Sequence, residues 1–292
     1  MSLKQKLPAG GQRRLLQAPG VYDGLSARVA AQYPFEALYV TGYGVSASLG
    51  LPDAGLATYT EMVQRIQVIS DVCDIPLVCD ADTGYGGVAN VRRTVQGYER
   101  AGAAAIQIED QDSPKKCGHT DGRRVVPIKE MEIRIRVALD ARRSDETLII
   151  ARTDARSDRG LDEAIERANR YREAGADLLF VESPESEAEL AAIGRQVRGP
   201  LVANMVVQGK TPLVPASRLE AMGFALAIYP SISFRTVAGA LDKAYRFLHQ
   251  DPEGVAFPVD FFGQDAPPGA MHRLMGFPQV WELERRFAQG GT

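Results

Sequence analysis

Cysteine is scarce: Cys73, Cys79 and Cys117 are the only three in 292 residues, and none stands at the paired spacing of a zinc site or a disulfide framework. Histidine is equally sparse, at His119, His249 and His272, with no pair at zinc-ligand spacing. No apolar run approaches the ~20 residues of a membrane helix, and no apolar signal-peptide core is present, so no membrane partner is expected. A reducing cytoplasm is the expected setting. Charge of one sign is also lacking. The formal net charge is -3 and no long basic run occurs, so there is no electrostatic footprint for nucleic acid. No Gly-x-Gly-x-x-Gly opens a helix after an early strand, which removes the dinucleotide-binding signature.

The chain does contain a repeated alternation of short β-rich segments with longer stretches of helical periodicity. Strands are expected at Leu16–Pro19, Ala37–Thr41, Leu77–Asp80, Ala105–Glu109, Leu148–Arg152, Leu178–Val181, Leu201–Asn204 and Ala225–Ile228. Helices are expected at Tyr59–Val72, Val88–Ala101, Ile128–Ala141, Leu161–Ala174, Glu185–Val197 and Ala216–Gly223. Gly102, Gly175 and Gly223 stand where a helix stops and a buried strand follows. Eight such units predict a closed (β/α)8 TIM-type barrel over residues 1–248. Residues 249–292, which contain Pro252, Pro258, Pro267, Pro268 and Pro278, are expected to form a helical extension with a piece at Gln279–Phe287.

In such a barrel, polar groups at the C-terminal ends of the strands converge on one mouth. The chain supplies Asp80 and Asp82 after the third strand, Glu109 after the fourth, Arg152 after the fifth, Glu182 after the sixth and Asn204 after the seventh. Any one of these acids alone fits a salt bridge or a helix cap equally well, whereas their common placement points to a shared site. Asp80, Asp82 and Glu109 offer hard oxygens, so Mg2+ is the expected ion, with Mn2+ as its substitute. Magnesium retains waters, so direct and water-mediated ligands are not separable at this level. Gly84, Gly86 and Gly87 fit a tight loop beside that ion, although a plain turn accounts for the same glycines.

The run Lys115-Lys116-Cys117-Gly118-His119 places a thiol among three potential cations. Adjacent cations stabilise a thiolate, so Cys117 is expected to exchange a proton near neutral pH as an acid, base or nucleophile. The surrounding loop, Gln111 to Val125, is expected to close over bound substrate. Cys73 and Cys79 are expected to pack as small apolar residues.

Several of these stretches together resemble the isocitrate lyase and phosphoenolpyruvate mutase superfamily: Gly20-Val21-Tyr22-Asp23, Thr41-Gly42-Tyr43-Gly44, Gly50-Leu51-Pro52-Asp53, Asp80-Ala81-Asp82-Thr83-Gly84-Tyr85-Gly86, Ile108-Glu109-Asp110-Gln111 and the Cys117 run. The resemblance covers about Pro19 to Arg235, and the Cys117 run is similar to the lyase branch that cleaves 2-methylisocitrate or 2,3-dimethylmalate. It implies a barrel whose last helix is exchanged between subunits in a homotetramer, a dimer of dimers. It also implies a Mg-dependent carbon–carbon lyase acting on a 2-hydroxy di- or tricarboxylate. Open alternatives are a C–C hydrolase of the oxaloacetate acetylhydrolase type and a ligand-binding homologue without turnover.

The resemblance further assigns roles. Cys117 protonates an enolate carbon, while Arg152, His119 and the backbone near Gly118 hold carboxylate or enolate charge. The hydroxyl proton goes to Tyr43, to a water on the metal or to a carboxylate, with Tyr43 the first choice. Thr41, Gly42 and Asp53 line the 2-oxo acid end, Asn204, Thr211 and Arg235 meet the other carboxylate, and Tyr22 is a further substrate-binding residue. Glu182 either binds substrate or anchors Arg152. Where the family has glutamate in its Asn-x-x-Glu-x-Gly-x-Thr-Pro stretch, this chain has Val207.

Overall fold

The structure, a computed structural model, describes residues 1–8, 14–120, 122–254 and 268–288, and it divides into two compact units, Met1–Phe234 and Arg235–Thr292. The first unit opens with α1 (Leu3–Lys6), β1 (Leu16–Val21), α2 (Gly24–Ala30), β2 (Leu38–Val40), α3 (Gly42–Ser48), α4 (Tyr59–Ser70) and β3 (Leu77–Asp80). It continues through α5 (Val88–Arg100), β4 (Ala103–Glu109), α6 (Ile128–Ala141), β5 (Leu148–Thr153), α7 (Ala155–Arg159) and α8 (Leu161–Glu173). It closes with β6 (Leu178–Val181), α9 (Glu187–Gln196), β7 (Leu201–Asn204), α10 (Ala216–Met222) and β8 (Phe224–Tyr229). The eight strands are parallel and form a closed barrel in sequence order, sealed by β1 against β8 from Leu16 opposite Leu226 to Pro19 opposite Tyr229.

The strands are buried on both faces, as parallel strands covered by helices must be, and their side chains divide with a period of two. Leu16, Ala18, Tyr39, Val78, Ala105, Leu148, Ile150, Leu178, Phe180, Val202, Leu226 and Ile228 fill the barrel interior, joined by Leu3 of α1. The alternate residues, among them Leu38, Val40, Cys79, Ile106, Ile149, Ala151, Leu179 and Ala203, pack outward against Met62, Ile66, Val95, Met131, Ile135, Ile165 and Leu190 of the helices. The predicted strands and helices are all present, with ends shifted by one to two residues. α2, α3 and α7 escape the periodic reading because they are short, and α3 carries Gly42, Gly44, Ser46 and Ser48, all weak helix formers.

The predicted glycine stops are real: Gly102 (φ 101°), Gly175 (φ 109°) and Gly223 (φ 97°) adopt backbone conformations that favour glycine. Asp23 and Thr58 cap α2 and α4 through capping boxes with Ser26 and Glu61. Helix α11 (Ile232–Gln250) follows β8, and the second unit also contains α12 (Ala270–Leu274) and α13 (Phe277–Ala288). The expected piece at Gln279–Phe287 lies within α13, whereas Pro258 and Pro267 fall outside the described residues.

Gly194 marks the closest approach of α9 to α10. A Cβ there would sit 2.1 Å from the Met222 carbonyl oxygen, so Gly194→Ala forces two backbones apart. The expected loss is about 1–3 kcal/mol in a urea unfolding titration. Unchanged stability would mean that these helices are free to separate at that point.

Candidate active site

The period of two that fills the barrel interior also builds the site. Continued past the last apolar layer, the inward rows read Val78 then Asp80; Ala105, Gln107 then Glu109; Ile150, Arg152 then Asp154; Phe180 then Glu182; and Val202 then Asn204. These polar residues are buried at the barrel mouth.

On the β3 side, Asp80 Oδ1 accepts hydrogen bonds from the Asp82 backbone N–H and from Gln107 Nε2, each at 3.2 Å. A Cβ on Gly42 would fall 2.7 Å from Asp80 Oδ2, so glycine is the residue that leaves this carboxylate room. Tyr98 donates to the Asp80 carbonyl at 3.1 Å and shares a 2.8 Å hydrogen bond with Tyr85. The following loop holds Asp82 (φ 46°), Gly84 (φ 89°) and Tyr85 (φ 61°) in the left-handed region, so it is a constrained turn rather than a slack one.

Lys115 bridges this acidic side. Its Nζ lies 2.5 Å from Asp53 Oδ1 and 2.6 Å from Asp82 Oδ1, the second an ion-pair contact without hydrogen-bond alignment. Burial pushes the Asp82 pKa up to about 6 even though Lys115 pulls it down. Burial also raises Glu109 well above the usual carboxylate range. Glu109 Oε2 lies 3.3 Å from Arg152 Nε, while Oε1 is buried without a hydrogen-bond partner.

Arg152 is the hub of the opposite side. Asp154 grips it side-on, accepting from Nε at 2.9 Å and from Nη2 at 3.0 Å, and Glu182 Oε2 approaches Nη2 to 3.4 Å. Burial disfavours a charged Glu182, but Arg152 and His119 outweigh it and its pKa falls below the ordinary value. Asn204 Nδ2 donates to Glu182 Oε2 at 3.1 Å, and its Oδ1 is buried without a partner, as is Thr211 Oγ1. Glu182 thus contacts both Arg152 and Asn204.

The Lys210 backbone N–H donates to His119 Nδ1 at 3.2 Å, which assigns the ring proton of a neutral imidazole to Nε2, 3.8 Å from Glu182 Oε1. Burial lowers the His119 pKa, so the ring is neutral near neutral pH. Gly118 is pressed against the hub: a Cβ there would lie 2.5 Å from Arg152 Nη2 and 2.9 Å from Glu182 Cδ. Its carbonyl accepts from Ser183 Oγ at 2.7 Å.

Cys117 departs from expectation. Burial pushes its thiol up to about 11, and Asp53 adds to the rise, against the opposing backbone N–H of His119 and Arg152. The neighbouring lysines do not reach the sulfur's charge balance: Lys115 is consumed by Asp53 and Asp82, and Lys116 donates to the Gly122 carbonyl at 3.1 Å. The thiol is therefore protonated near neutral pH, which suits a proton donor and not a standing nucleophile.

The remaining predicted residues are dispersed around this core. Thr41 caps α3 by accepting from the Gly44 N–H at 3.3 Å, and Asp53 serves Lys115 and accepts the Cys117 N–H at 3.1 Å. Tyr22 is buried in the apolar layer. Tyr43 is exposed and packs at a tilt of 44° against Phe234, with ring centroids 5.0 Å apart. Val207 is also exposed, and Arg235 is exposed on α11 at the start of the second unit. A cavity of about 790 Å3 lined by Thr58, Tyr85, Arg93 and Arg134 shares Asp82 and Lys115 with the mouth, but Cys117, His119 and Arg152 are not in its wall.

Among the described residues, no three His, Cys, Asp or Glu side chains converge as a ready-made metal cage. Within the expected set of Asp80, Asp82 and Glu109, Lys115 draws Asp82 and Arg152 draws Glu109. The donor set does fit a hydrated magnesium ion, which uses only one or two carboxylates and keeps several waters. The orphaned Glu109 Oε1 points the same way. So does the balance of charge: Asp53, Asp80, Asp82, Glu109, Asp154 and Glu182 outnumber Lys115, Arg123 and Arg152.

Sequence reasoning missed Asp154, Arg123, Ser183 and Asp110. Asp154 carried a usable signal, since it stands two residues beyond Arg152 on the same inward row; Arg123 carried none, because its partners are distant in sequence.

A family model described as phosphoenolpyruvate phosphomutase matches residues 5–249. The chain is 44% identical over 281 residues to the 2,3-dimethylmalate lyase of Eubacterium barkeri, covering 95% of each chain. It is 43% identical over 240 residues to the 2-methylisocitrate lyase of Halalkalibacterium halodurans, covering 82% of this chain and 79% of that one. An oxaloacetate acetylhydrolase in complex with the inhibitor 3,3-difluorooxalacetate superimposes with a TM-score of 0.90 at 35% identity, covering 100% of this chain and 97% of that chain. The trigonal crystal form of 2,3-dimethylmalate lyase, a PEP mutase/isocitrate lyase superfamily member, gives 0.86 at 37% identity over 94% and 90%. Phosphonopyruvate hydrolase, solved as a complex with oxalate and Mg++, gives 0.82 at 28% over 94% and 95%.

The raised thiol yields a direct test. Alkylation of Cys117 by iodoacetamide, followed by mass spectrometry of its peptide, is expected to accelerate through pH ~10 without levelling near the ordinary ~8.5. A plateau near the ordinary value would show that the loop lysines do act on the sulfur.

Proposed function

Because the chain belongs to the phosphoenolpyruvate mutase/isocitrate lyase superfamily, we propose that it cleaves a 2-hydroxy di- or tricarboxylate of the 2,3-dimethylmalate or 2-methylisocitrate type. A carbon–carbon lyase is the activity class that its curated relatives share. The observation that carries the reading is a protonated, largely buried thiol beside the Arg152 hub, at a mouth with surplus carboxylates.

Bond cleavage between the hydroxyl-bearing carbon and its neighbour requires loss of the hydroxyl proton and leaves an electron pair that becomes an enolate. Dimethylmalate would yield pyruvate and propionate; methylisocitrate would yield pyruvate and succinate. Tyr43, at the exposed start of α3, is the proposed acceptor of the hydroxyl proton and passes its own phenolic proton to solvent. Thr41, Gly42 and Asp53 are assigned to the 2-oxo acid end, and Tyr22 to the substrate site without a specific end. Arg152 and the Nε2–H of His119 hold negative charge as preorganised donors, and the bare Cα of Gly118 leaves room beside them. Asn204 and Thr211 are assigned to the second carboxylate, and the unpartnered Asn204 Oδ1 and Thr211 Oγ1 support the presence of a polar ligand there. Cys117 then passes its proton to the enolate carbon and regains one from solvent.

Asp80, Asp82 and Glu109 would hold Mg2+, or Mn2+ in its place, with the help of water, and the bound ion would supply Lewis-acid charge for the cleavage. The likeness to an oxaloacetate acetylhydrolase structure favours a second reading, in which oxaloacetate is hydrolysed to oxalate and acetate.

No helix among the described residues is long and apolar enough to cross a membrane, and the three free cysteines fit the proposed cytoplasmic location. Leu241, Tyr245, Leu248, Val280, Trp281 and Phe287 are exposed on α11 and α13, which supports the proposed homotetramer with an exchanged C-terminal arm. Sedimentation should give a tetramer mass, and a monomer at micromolar concentration would refute the assembly.

The deciding assay offers 2,3-dimethylmalate, 2-methylisocitrate and oxaloacetate separately, with product identification, in magnesium and in chelator. Lysis of a 2-hydroxy acid that vanishes in chelator and returns with magnesium is expected; oxalate plus acetate as the sole products would establish the hydrolase reading. In Cys117→Ser, kcat is expected to fall by ~10²–10⁴ with KM changed little. Undiminished turnover would remove the thiol from the mechanism.

A further inference from the structure

The loop that carries Cys117 and His119 is tied to the barrel at two levels. At its base, Gln111 and Val125 form an antiparallel bridge, the Asp112 N–H donates to the Arg124 carbonyl, and the Val126 N–H donates to the Asp110 carbonyl. Higher up, the link is a buried side-chain ladder. Arg123 leaves the loop and enters the protein completely, where Nη1 meets Asp154 Oδ1 at 2.5 Å and Nη2 donates to Ser157 Oγ. Its Nε turns back to the Thr120 carbonyl at 3.2 Å, bracing the loop just past His119. Thr120 in turn donates to the Cys117 carbonyl through both its N–H and its hydroxyl, at 3.0 and 2.8 Å.

Asp154 is shared between two arginines. The same carboxylate that receives Arg123 receives Nε and Nη2 of Arg152, which leaves Nη1 as the arginine nitrogen it does not occupy. Asp154 is itself held in place, because its backbone N–H donates at 2.9 Å to Asp110 Oδ1, and Asp110 is fixed by Tyr171 at 2.6 Å and Arg167 at 3.1 Å. The charged members of this ladder, Arg123, Arg152, Asp154, Asp110 and Arg167, are all buried, so their charges are matched only when all of them are in place.

We propose that Asp154 is a positioning residue that locks the seated Cys117–His119 loop, through Arg123, to the orientation of the substrate-holding Arg152. Lifting the loop withdraws Arg123 and leaves Asp154 to Arg152 alone; seating it divides the carboxylate between them and sets the edge of Arg152 presented to a ligand. The proton donor and the guanidinium are thus brought into register by one carboxylate whose side-chain partners are the two arginines.

The proposal rests on the lyase reading only for its kinetic arm, so loop seating is measured without substrate. Iodoacetamide labelling of Cys117 is followed in the full-length enzyme and in Arg123→Lys, Asp154→Asn and the double variant, with melting temperatures recorded for each. Labelling is expected to rise about tenfold or more in each single variant, and no further in the double, because each opens the same latch. With dimethylmalate, kcat/KM is expected to fall by about 100-fold in Asp154→Asn, largely through kcat, as for a displaced catalytic group. Ser157→Ala, which removes only the minor partner of Arg123, keeps a native melting temperature and gives a smaller rise in labelling. Native labelling in all folded variants, or strictly multiplicative effects in the double variant, would overturn the latch. Altered labelling with no turnover of any acid by the parent enzyme would leave the latch standing and refute the lyase reading instead.

Discussion

Ionised groups buried together at one end of a barrel impose the constraint on which the rest of this site depends. An unpaired buried charge is destabilising by several kcal/mol, so each carboxylate at the mouth needs a partner within reach. Lys115 serves Asp53 and Asp82, and Arg152 serves Glu109, Asp154 and Glu182. These cations do not balance the acids around them. Burial first, and the neighbouring acids after it, raise the pKa values of Asp82 and Glu109, and Glu109 Oε1 is left unpartnered. An anionic substrate entering such a mouth would add to the imbalance, which is the physical reason for proposing a divalent cation there.

The scaffold distributes tasks by its periodicity. Inward residues of the lower layers are apolar and close-packed, and the same rows become polar at the strand ends, so Asp80, Glu109, Arg152, Glu182 and Asn204 stand on rigid supports. Cys117, Gly118 and His119 stand on a loop. That division suits a reaction in which charge must be held still while the proton donor arrives and then withdraws to release product.

The thiol's role follows from its surroundings more than from its neighbours in sequence. A cysteine flanked by lysines reads as a stabilised thiolate, yet both lysines are committed elsewhere and burial beside Asp53 keeps the proton on sulfur. His119 is shifted in the complementary sense. Burial keeps it neutral, so it offers a hydrogen bond from Nε2 without adding a positive charge to the mouth. The two shifts together leave Arg152 as the permanent cation at the centre of the anion-binding side.

What the amino-acid order determined by itself was the barrel and the membership of its mouth. Strand and helix periods are local properties, and a period of two carries Val78 to Asp80, Ile150 to Arg152 and Phe180 to Glu182 on the inward face without reference to distant residues. The motif resemblance added the reaction class for the same reason, since its residues lie in short contiguous runs. Pairing was not legible in this way. Lys115 with Asp53 and Arg123 with Asp154 join residues far apart in the chain, and their geometry exists only after the barrel closes. Tertiary structure therefore decided which carboxylates are neutralised, which stay available to a cation, and whether the thiol keeps its proton, because those outcomes depend on burial and on three-dimensional neighbours that no local pattern encodes.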